Sequence, residues 1–593
     1  MPRHSSKDPI RALLRPLALA QHELEVELLL PADLSRQGPL MSLPAWTPGS
    51  YLIRDYARLL DRVELRDARG RRWPVEKVDK QSWKLPPLKG EARLSYRLFC
   101  NELTVRTNHM DATHAHLVGA ATFLHSRDEL DRPYQVNFEG FPSSWDAATS
   151  LPERRGALLA EDYDTLVDSP IELGTFRRHA FRSLGSTFEV AITGPHRGDE
   201  GRILEGTRKI VDVCGSWFGG FPFRRYVFLL TFSPGARGGL EHRSSTSLLQ
   251  DPFALEEPQG YHDLFTLVAH EFFHAWNVKR IKDRRLDRFD YSRENHSRLL
   301  WFHEGLTSYL QHLVVMQAGL VPFQAVARSL AGTWGDYAQR AGMREQSLEE
   351  SSFDAWIRQY KPNEFSPNST VGYYDKGSLV GWLMDAHIRL GSGGRRNLVD
   401  LFRRLWEQKG EGGISDGEIR SAFAELTGED PGAFWDAYIA GRETLPADPI
   451  ERAFGLRFER GTGEATDVAS TSGPGAWAGF TVHREEPSIL NVVPGGPAWK
   501  AGLSYGMEVL AVDGWRVDSA PQLRRRVQGG RPGGTVEVLA ATRGRVGAYR
   551  LRLEEAPPST IRIAPDARAT KHQRDRFEAW SGQPFPRVRA RVR

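Results

Sequence analysis

The spacing of hydrophobic residues changes twice along this chain, and each change marks a different kind of fold. From "HELEVELLL" (His22 to Leu30) to "TFEVAIT", which ends before Pro195, short runs with strand-like alternation are separated by Pro and Gly. Helical spacing then dominates to about residue 445, as in "HDLFTLVAHEFFHAW" and "SRLLWFHEGLTSYLQHLVVM". Short strands and Gly/Pro turns return after about residue 455 and end near "YRLRLEE". The pattern predicts a multidomain α+β protein without internal repeats.

These transitions divide the 593 residues into five predicted segments. The length itself suits three or four domains of about 150 residues each. The segments are a flexible N-terminal tail, a β-rich domain, a mainly helical domain, a second and smaller β-rich domain, and a basic C-terminal tail: 1–19, 20–195, 196–450, 455–556 and 557–593. Both tails carry many basic residues, which we interpret as solvated chain ends.

Composition argues against several functional classes. Lys and Arg total 79 against 75 Asp and Glu, and the resulting charge of +4 gives no support to a nucleic-acid partner. Cys100 and Cys214 are too few for a disulfide framework or a thiolate zinc site. No stretch approaches the roughly 18–20 apolar residues that span a bilayer, and Arg11 and Arg15 interrupt the N-terminal apolar run, which makes it a poor signal peptide. We therefore expect a cytoplasmic protein with no membrane partner.

The stretch "LVAHEFFHAWNVKR" contains two histidines four residues apart. On a helix, His270 and His274 lie on one face and can bind one metal ion, and Glu271 lies beside that face, within reach of a metal-activated water. An accidental H-E-x-x-H in a chain of this length is expected only on the order of a few per cent of the time. The alternative is an ordinary buried helix, because the apolar flanks fit both interpretations.

A catalytic zinc ion requires a third protein ligand, which this stretch does not supply. The best candidate is Glu304 in "LLWFHEGLTSYLQHL", because its carboxylate lies in a segment that otherwise carries an apolar helix face. A nearly buried carboxylate needs a partner, and a metal ion provides one. His303 is the competing ligand.

Five stretches, taken together, resemble a known family. H-E-x-x-H followed by E-G-x-x-x-Y resembles the gluzincin metallopeptidases, and the closer similarity is to the glycyl aminopeptidase family with a C-terminal PDZ domain. The stretches occur in the order of that family: "LPAWTPGSYLIRDYAR", "GGLEH", "HEFFHAWNVKRI", "WFHEGLTSY" and "YYDKG". The resemblance implies a thermolysin-like, mainly α-helical catalytic domain. It also implies one Zn²⁺ per chain, bound by His270, His274 and Glu304, with Glu271 as general base.

The same resemblance suggests two further roles. Tyr374 matches the tyrosine that stabilises the oxyanion in related aminopeptidases, and a phenol stays protonated at neutral pH and can donate to a developing oxyanion. Tyr373 is adjacent, and the sequence leaves open which of the two faces the zinc. Taken without the family, both tyrosines are packing residues.

"GGLEH" resembles the Gly-x-Met-Glu-Asn loop of related zinc aminopeptidases. The resemblance implies that Gly238 and Gly239 let the backbone approach the substrate and that Glu241 binds its free α-amino group. Leu240 and His242 stand where Met and Asn are usual. The alternative for Glu241 is a surface charge on a loop.

The C-terminal stretch "NVVPGGPAWKAGLSYGMEVLAVDGWRV" resembles the PDZ signature, with Met507 where most relatives have Asp. The resemblance makes "AWAGFTV" a candidate carboxylate-binding loop, in which backbone N–H groups beside Gly479 and Phe480 receive a peptide C-terminus. A PDZ domain that packs on the catalytic domain and binds nothing is an equal alternative.

The resemblance as a whole implies a zinc aminopeptidase acting on peptides with a free N-terminus, with a preference for Gly or Ala as the first residue. Two alternatives remain at this point. A zinc endopeptidase would have the same metal ligands but no use for a free amine. A non-catalytic peptide-binding PDZ protein would need a spoiled zinc site, whereas every implied ligand and the base are present in this chain.

Overall fold

The structure is a computed structural model that describes residues 7–461, 469–470, 476–555, 557 and 560–587. The chain forms two compact units, one made of 1–295 and 408–413 and the other of 296–407 and 414–593. Within the described residues, no helix is both long enough and apolar enough to cross a membrane.

The first part of the first unit is rich in β-strands, as the alternating pattern predicts. Its strands are β1 (Ile10–Ala18), β2 (Glu23–Leu30), β3 (Leu40–Ser42), β4 (Leu60–Asp67), β5 (Arg72–Trp73), β6 (Glu76–Lys77), β7 (Ser82–Lys84), β8 (Ala92–Phe99), β9 (His109–Met110), β10 (His114–Leu117), β11 (His125–Ser126), β12 (Tyr134–Phe138), β13 (Asp146–Ala148), β14 (Glu153–Arg154), β15 (Ala157–Ala160) and β16 (Ile171–Gly174). Three short helices interrupt them: α1 (Ala32–Gln37), α2 (Gly119–Thr122) and α3 (Tyr163–Val167).

An eight-stranded sheet with the order β14-β15-β12-β1-β2-β8-β4-β5 forms the largest layer of this region. Along β2, Leu24, Val26 and Leu28 are fully buried, because alternate side chains of a strand point to the same face. The predicted N-terminal tail needs correction: β1 lies inside this sheet, parallel to β12 and antiparallel to β2, and Ile10 is fully buried. Arg11 and Arg15 made this segment resemble a solvated end, but they belong to a strand with one buried face.

The remainder of the first unit is a five-stranded sheet with two helices. Its elements are β17 (Arg177–Ser183), β18 (Ser186–Thr193), α4 (Glu200–Phe218), β19 (Arg225–Phe232), β20 (Gly238–Glu241), β21 (Ser245–Gln250) and α5 (Pro258–Phe273). The order is β17-β18-β19-β21-β20, with β18, β19 and β21 parallel and β20 antiparallel at the edge. Because β18 pairs with β19, the last strand before residue 195 shares a sheet with strands that follow it, and the domain boundary stays a prediction.

The helical part of the second unit begins with a π-helical turn, Trp301–Gly305. The helices that follow are α6 (Leu306–Gln317), α7 (Phe323–Gln339), α8 (Leu348–Phe353), α9 (Ser366–Ser369), α10 (Tyr373–Gly391), α11 (Leu398–Lys409), α12 (Asp416–Thr427), α13 (Gly432–Tyr438) and α14 (Asp448–Phe454). α10 is buried along most of its length and packs against α6, α14 and the π-helical turn. The helical spacing in the sequence therefore predicts this region correctly.

The C-terminal part of the second unit returns to strands, as predicted. It contains β22 (Leu456–Gly461), β23 (Ala469–Ser470), β24 (Ala476–Trp477), β25 (Phe480–Val482), β26 (Ile489–Val492), α15 (Pro497–Ala501), β27 (Glu508–Val512), β28 (Trp515–Arg516), α16 (Ala520–Gln528), β29 (Thr535–Thr542), β30 (Arg545–Arg552), β31 (Glu554–Glu555), β32 (Thr560–Pro565) and α17 (Lys571–Ser581). The apolar core of this region includes Val509, Val538 and Leu551.

The prediction of a loosely docked C-terminal tail is wrong for the described residues. β32 pairs antiparallel with β22, and α17 packs on the helical part of the same unit. Trp580 of α17 is fully buried, stacks on Trp382 at 5.9 Å between ring centroids and donates a hydrogen bond to Tyr309 Oη at 2.8 Å. Basic residues dominate the tail sequence, but its aromatic residues determine where it packs. The last six residues of the predicted tail lie outside the described ranges.

Candidate functional site

The end of α5 holds the first candidate residues. The helix begins with Pro258 and ends at Phe273, so that His270 and Glu271 lie in its last turn and His274 follows directly. The His270 and His274 rings are 4.7 Å apart between centroids and stand at 83° to each other. Glu271 and His274 are buried, and His270 is half-buried. The spacing of four residues thus places the two imidazoles side by side, as the sequence predicts.

A backbone carbonyl fixes the orientation of the second histidine. His274 Nδ1 donates a hydrogen bond to the carbonyl oxygen of Asn277 at 2.8 Å. This bond leaves Nε2 as the lone-pair nitrogen of the ring, which is the state that a metal ligand requires. The sequence could not reveal this contact, because any residue at position 277 offers the same carbonyl.

Contacts made by Lys279 and Arg280 hold the segment after α5 in an unusual backbone conformation. Val278 has φ +87°, a left-handed conformation that is costly for a β-branched residue and persists only where the surroundings enforce it. Arg280 is buried and donates to the carbonyl oxygens of Ala275 and Arg243 at 2.6 and 2.9 Å. Lys279 contacts Asp168 at 2.8 Å. These anchors hold the turn that carries the Asn277 carbonyl.

The edge strand β20 runs close to the base. A Cβ added at Gly239 would lie 2.1 Å from Glu271 Oε1, so that only glycine fits beside this carboxylate. At Gly238, the nearest atoms to an added Cβ would be 3.8 Å away. The two glycines therefore have different roles: Gly239 makes room for Glu271, whereas position 238 tolerates a side chain.

Glu241, at the end of β20, is not a surface charge. It is buried, and one carboxylate oxygen each of Glu241 and Glu271 and one ring nitrogen of His274 all lie within 4.8 Å of one another. Within the described residues, Glu241 Oε1 has no hydrogen-bond partner. A buried carboxylate oxygen without a donor is costly, so that a cationic or hydrogen-bonding ligand would be stabilised here.

The stretch "LPAWTPGSYLIRDYAR" contributes to the same place. A Cβ added at Gly49 (φ +88°) would lie 2.5 Å from Glu241 Oε1, so the loop passes directly over the carboxylate. Trp46, Gly49 and Tyr51 line a pocket of about 370 Å³ that also includes Glu241. In the sequence this motif stands out only through the family resemblance, and the structure gives it a physical role in shaping the pocket.

His242 replaces the asparagine of related loops and has a defined partner. Its Nδ1 donates to Asp168 Oδ1 at 3.3 Å, and the other Asp168 oxygen accepts from the backbone N–H of Arg243 at 2.7 Å. Burial opposes the ionisation of Asp168, but the Lys279 ammonium and the hydrogen bond from His242 outweigh it and hold the pKa of Asp168 well below its usual range. Burial also lowers the pKa of His242, which keeps this imidazole neutral. The departure from the usual motif therefore stabilises the β20–β21 turn.

Within the second unit, Glu304 lies on the π-helical turn and is 2% exposed. π-helical turns are rare overall, but those that occur are often at functional sites. The extra residue in the turn redirects a side chain. The neighbouring His303, the competing ligand, is fully buried as well. The sequence predicts a helix here but does not reveal the π-helical turn.

Two glycines bring α10 against this turn. A Cβ added at Gly305 would lie 2.5 Å from Gly377 Cα and 2.6 Å from the Tyr373 carbonyl oxygen. The "YYDKG" stretch is therefore the start of a helix whose backbone touches the π-helical turn. This contact explains the glycine at each of the two positions.

The two adjacent tyrosines differ in their surroundings. Tyr373 is fully buried and stacks on Tyr374 at 4.7 Å between centroids, whereas Tyr374 is partly exposed and its hydroxyl lies 3.2 Å from that of Tyr360. Burial and the nearby Glu304 carboxylate raise the pKa of Tyr374 well above 10, so that its hydroxyl stays protonated at neutral pH. Tyr374 is thus the more exposed residue of the pair.

The candidate carboxylate-binding loop has a defined backbone. Gly479 has φ +75°, and its carbonyl oxygen accepts from the Val493 N–H at 2.9 Å. Phe480 is buried and begins β25, which pairs with β26 on one side and with β23 on the other. Both sides of β25 are therefore engaged by the chain itself.

Two family models match separate segments of this chain. Residues 14–175 match the Peptidase M61 N-terminal domain, and residues 263–380 match the M61 glycyl aminopeptidase model. Among curated protein sequences, none matches this chain significantly.

Among solved structures, an aminopeptidase N family protein from Idiomarina loihiensis is similar, with 27% identity, a TM-score of 0.89 and coverage of 96% of this chain and 99% of that chain. An M1 zinc metallopeptidase from Deinococcus radiodurans matches with 14% identity and a TM-score of 0.44 over 74% of this chain and 95% of that chain. The two family matches lead to one conclusion: the chain contains the N-terminal domain and the glycyl aminopeptidase domain of peptidase family M61.

Proposed function

We propose that this protein is a zinc aminopeptidase that removes small N-terminal residues, Gly or Ala, from peptides. One observation carries the proposal: Glu241, Glu271 and His274 offer ligand atoms within 4.8 Å of one another, and Glu241 Oε1 lacks a hydrogen-bond partner among the described residues. A buried acceptor for an ammonium group beside the base of a peptidase motif favours an enzyme that requires a free N-terminus.

His270, His274 and Glu304 would hold one zinc ion. Two imidazoles and one carboxylate form a donor set of catalytic zinc, which leaves a fourth position for water or substrate. The fit rests on His274, whose Nδ1–H is engaged by the Asn277 carbonyl so that Nε2 is the ligand atom. The bound ion would polarise the scissile carbonyl and make water a stronger acid.

The remaining chemistry belongs to side chains of this chain. Glu271 takes a proton from the attacking water and passes it to the leaving amine. Tyr374 donates a hydrogen bond to the carbonyl oxygen as negative charge develops on it. Gly239 keeps the β20 backbone close enough for an extended substrate to lie along this edge.

In this proposal, Glu241 is the residue that limits cleavage to the first peptide bond. A carboxylate that binds the substrate's α-ammonium group places the first peptide bond, and no later one, next to the base. The preference for Gly and Ala as the first residue rests on the family resemblance.

A second proposal concerns the C-terminal β region, which packs within the second unit. β23 pairs with β25 where a PDZ ligand would add as a strand, and Asn368 Nδ2 donates to the Val492 carbonyl at 2.9 Å within the same unit. We propose that a peptide C-terminus binds beside Gly479 and Phe480 only when β23 is displaced. The cytoplasmic location stays a prediction from the sequence.

The test is hydrolysis of Gly-Ala and Ala-Ala, free and N-acetylated, by the zinc-loaded protein. We expect cleavage of the free peptides alone. In the Glu271→Gln variant, kcat should fall by about 10²–10⁴-fold, the usual contribution of a general base, while bound zinc is unchanged.

Each other outcome has a definite meaning. Equal cleavage of free and acetylated peptides would make the protein an endopeptidase and remove the role of Glu241. Zinc binding without cleavage of either peptide would favour the non-catalytic alternative.

A further inference from the structure

A second group of metal-type ligands lies in the β-rich region of the first unit, on the hairpin formed by β9 and β10. His109 stands on β9, Asp111 begins the turn and His114 begins β10. One ring nitrogen or carboxylate oxygen from each of the three lies within 4.8 Å of those of the other two. We call His109, Asp111, His114 and their partner Glu172 the hairpin cluster.

The distances within the hairpin cluster suit a coordination shell. His109 Nε2 lies 3.3 Å from Asp111 Oδ2. Two ligands at about 2.0–2.1 Å from a tetrahedral zinc ion are themselves separated by about 3.3 Å. As a hydrogen bond the same contact is long, because charge-assisted bonds of this type are about 2.7–2.9 Å.

The turn geometry fixes Asp111. Its Oδ1 accepts from the Thr113 backbone N–H at 2.7 Å and from the Thr113 hydroxyl at 2.6 Å. The hydrogen bonds to Oδ1 therefore orient the carboxylate, and Oδ2 faces His109. Burial opposes ionisation of Asp111, but these hydrogen bonds hold the pKa of its carboxyl below the usual range and keep it anionic.

Glu172 supplies the partner that metal-binding histidines generally have. Its Oε1 accepts from His114 Nδ1 at 2.8 Å, so Nε2 is the free lone pair of that ring. The other oxygen of Glu172 accepts from His116 Nδ1 at 3.1 Å. Glu172 is 1% exposed and thus belongs to the core, although it lies on β16, far along the chain.

The two histidines of the hairpin cluster are buried: His109 is 8% and His114 7% exposed. Their rings are 5.1 Å apart between centroids. His109 Nε2 lies beside Asp111 Oδ2, and His114 Nε2 is left for an ion because Nδ1 of that ring is bonded to Glu172.

We propose that His109, Asp111 and His114 form a second metal site that binds a divalent first-row transition-metal ion such as Zn²⁺. Imidazole nitrogens with one carboxylate suit this class of ion, whereas Ca²⁺ and Mg²⁺ prefer oxygen ligands. Asp111 is partly exposed, so an ion can enter from solvent at the turn. Bound metal would join β9, the turn and β10, and through His114 would connect them to Glu172.

The test counts metal in the full-length protein. Protein stripped with a chelator is loaded with Zn²⁺ and desalted, and bound zinc is measured by elemental analysis and native mass spectrometry. We expect two zinc ions per chain in the wild type and one in Asp111→Asn, with peptidase activity of that variant within about twofold of wild type. The matched control Asp128→Asn, an exposed carboxylate of the same region, should retain both.

A second arm isolates the hairpin. His270→Ala/His274→Ala should bind one zinc ion, and adding Asp111→Asn to it should reduce binding to none. Co²⁺ loaded into the double variant should give a visible d–d absorption band that the triple variant lacks.

The outcomes separate the hairpin cluster from the proposed catalytic zinc. Absence of bound zinc and of the cobalt band in folded His270→Ala/His274→Ala protein would overturn the hairpin proposal. A single zinc in the wild type that Asp111→Asn removes and His270→Ala/His274→Ala leaves intact would support the hairpin and contradict the catalytic zinc instead. Circular dichroism of every variant ensures that loss of metal is not loss of fold.

Discussion

The end of α5 and the β9–β10 hairpin both bring two histidines together with carboxylates, but they do so by different geometry. On α5 the histidines are four residues apart, and the helix itself places their rings 4.7 Å apart. On the hairpin, His109 and His114 are joined by a turn, and their relation depends on the register in which Ala115 pairs with Met110. Local geometry can be read from spacing, whereas a strand register depends on the rest of the sheet. The comparison teaches why one group is evident from the sequence and the other is not.

After loss of the general base, the largest expected effect concerns Tyr374, the residue assigned to the oxyanion. Tyr374→Phe removes one hydrogen-bond donor and should lower kcat by about 10²–10³-fold without changing bound zinc, because such donors act mainly in the transition state. The matched control is Tyr373→Phe, whose fully buried ring should leave kcat within about threefold. Steady-state kinetics on Ala-Ala measure both. Equal losses in the two variants would remove the distinction between the tyrosines.

The next largest effect is expected at the contact between β20 and Glu271, the proposed general base. Gly239→Ala would place a Cβ 2.1 Å from Glu271 Oε1 and should displace the carboxylate, at a cost of about 10²-fold in kcat. Gly238→Ala, which meets nothing closer than 3.8 Å, is the matched control and should be nearly neutral. Zinc content should be unchanged in both. Full activity of Gly239→Ala would show that the position of Glu271 is not constrained by β20.

A smaller effect is expected for the amine-binding carboxylate. Glu241→Gln keeps the shape but removes the charge, and the lost charged hydrogen bond should lower kcat/KM on free dipeptides about 10–100-fold. Any residual activity on N-acetylated dipeptides should not change. Kinetics on the paired substrates measure the ratio. An equal loss on both forms would assign Glu241 a structural role.

The smallest effect is on stability and depends on pH. The pKa of Asp168 is lowered in the folded state, so its contribution is present above its ordinary pKa of about 3.9 and is lost as the pH falls below that value. Asp168→Asn should therefore destabilise the protein by roughly 1–2 kcal/mol at pH 7, and the difference should shrink below about pH 4. Thermal melts of wild type and variant across this range measure it. A difference that is constant with pH would show that the charge of Asp168 contributes nothing.

Much of the fold follows from the sequence. Alternation predicts the strands of the first region, and helical spacing predicts α5, α6 and α10. The boundaries are less well predicted, because β18 joins the sheet of the following region and β1 and α17 lie in segments whose charge suggested solvated tails. The charged residues lie on one face of a strand or helix, whereas the buried residues of the other face determine where the element packs. Ile10 in β1 and Trp580 in α17 are such buried residues.

For the candidate site, sequence and family resemblance together name His270, Glu271, His274, Glu304, Tyr374 and Glu241, and these assignments stay proposals. The structure adds what no spacing reveals: the Asn277 carbonyl on His274, the glycine contacts at Gly49 and Gly239, and the Asp168 partner of His242. These contacts involve backbone atoms or residues far apart in the chain. Their residue types are therefore uninformative until the fold is known.

The sequence by itself determined the class of elements, their order and the helix that presents two histidines and a glutamate on one side. These properties depend on residues within one or two turns of each other, which the periodicity of a helix or strand records directly. Only the tertiary structure decided that Glu241 is buried beside Glu271, that Tyr374 is more exposed than Tyr373, and that His109, Asp111 and His114 come together, with His114 bonded to Glu172. Those relations arise from close packing between distant segments, where free energy depends on contacts that local spacing does not encode.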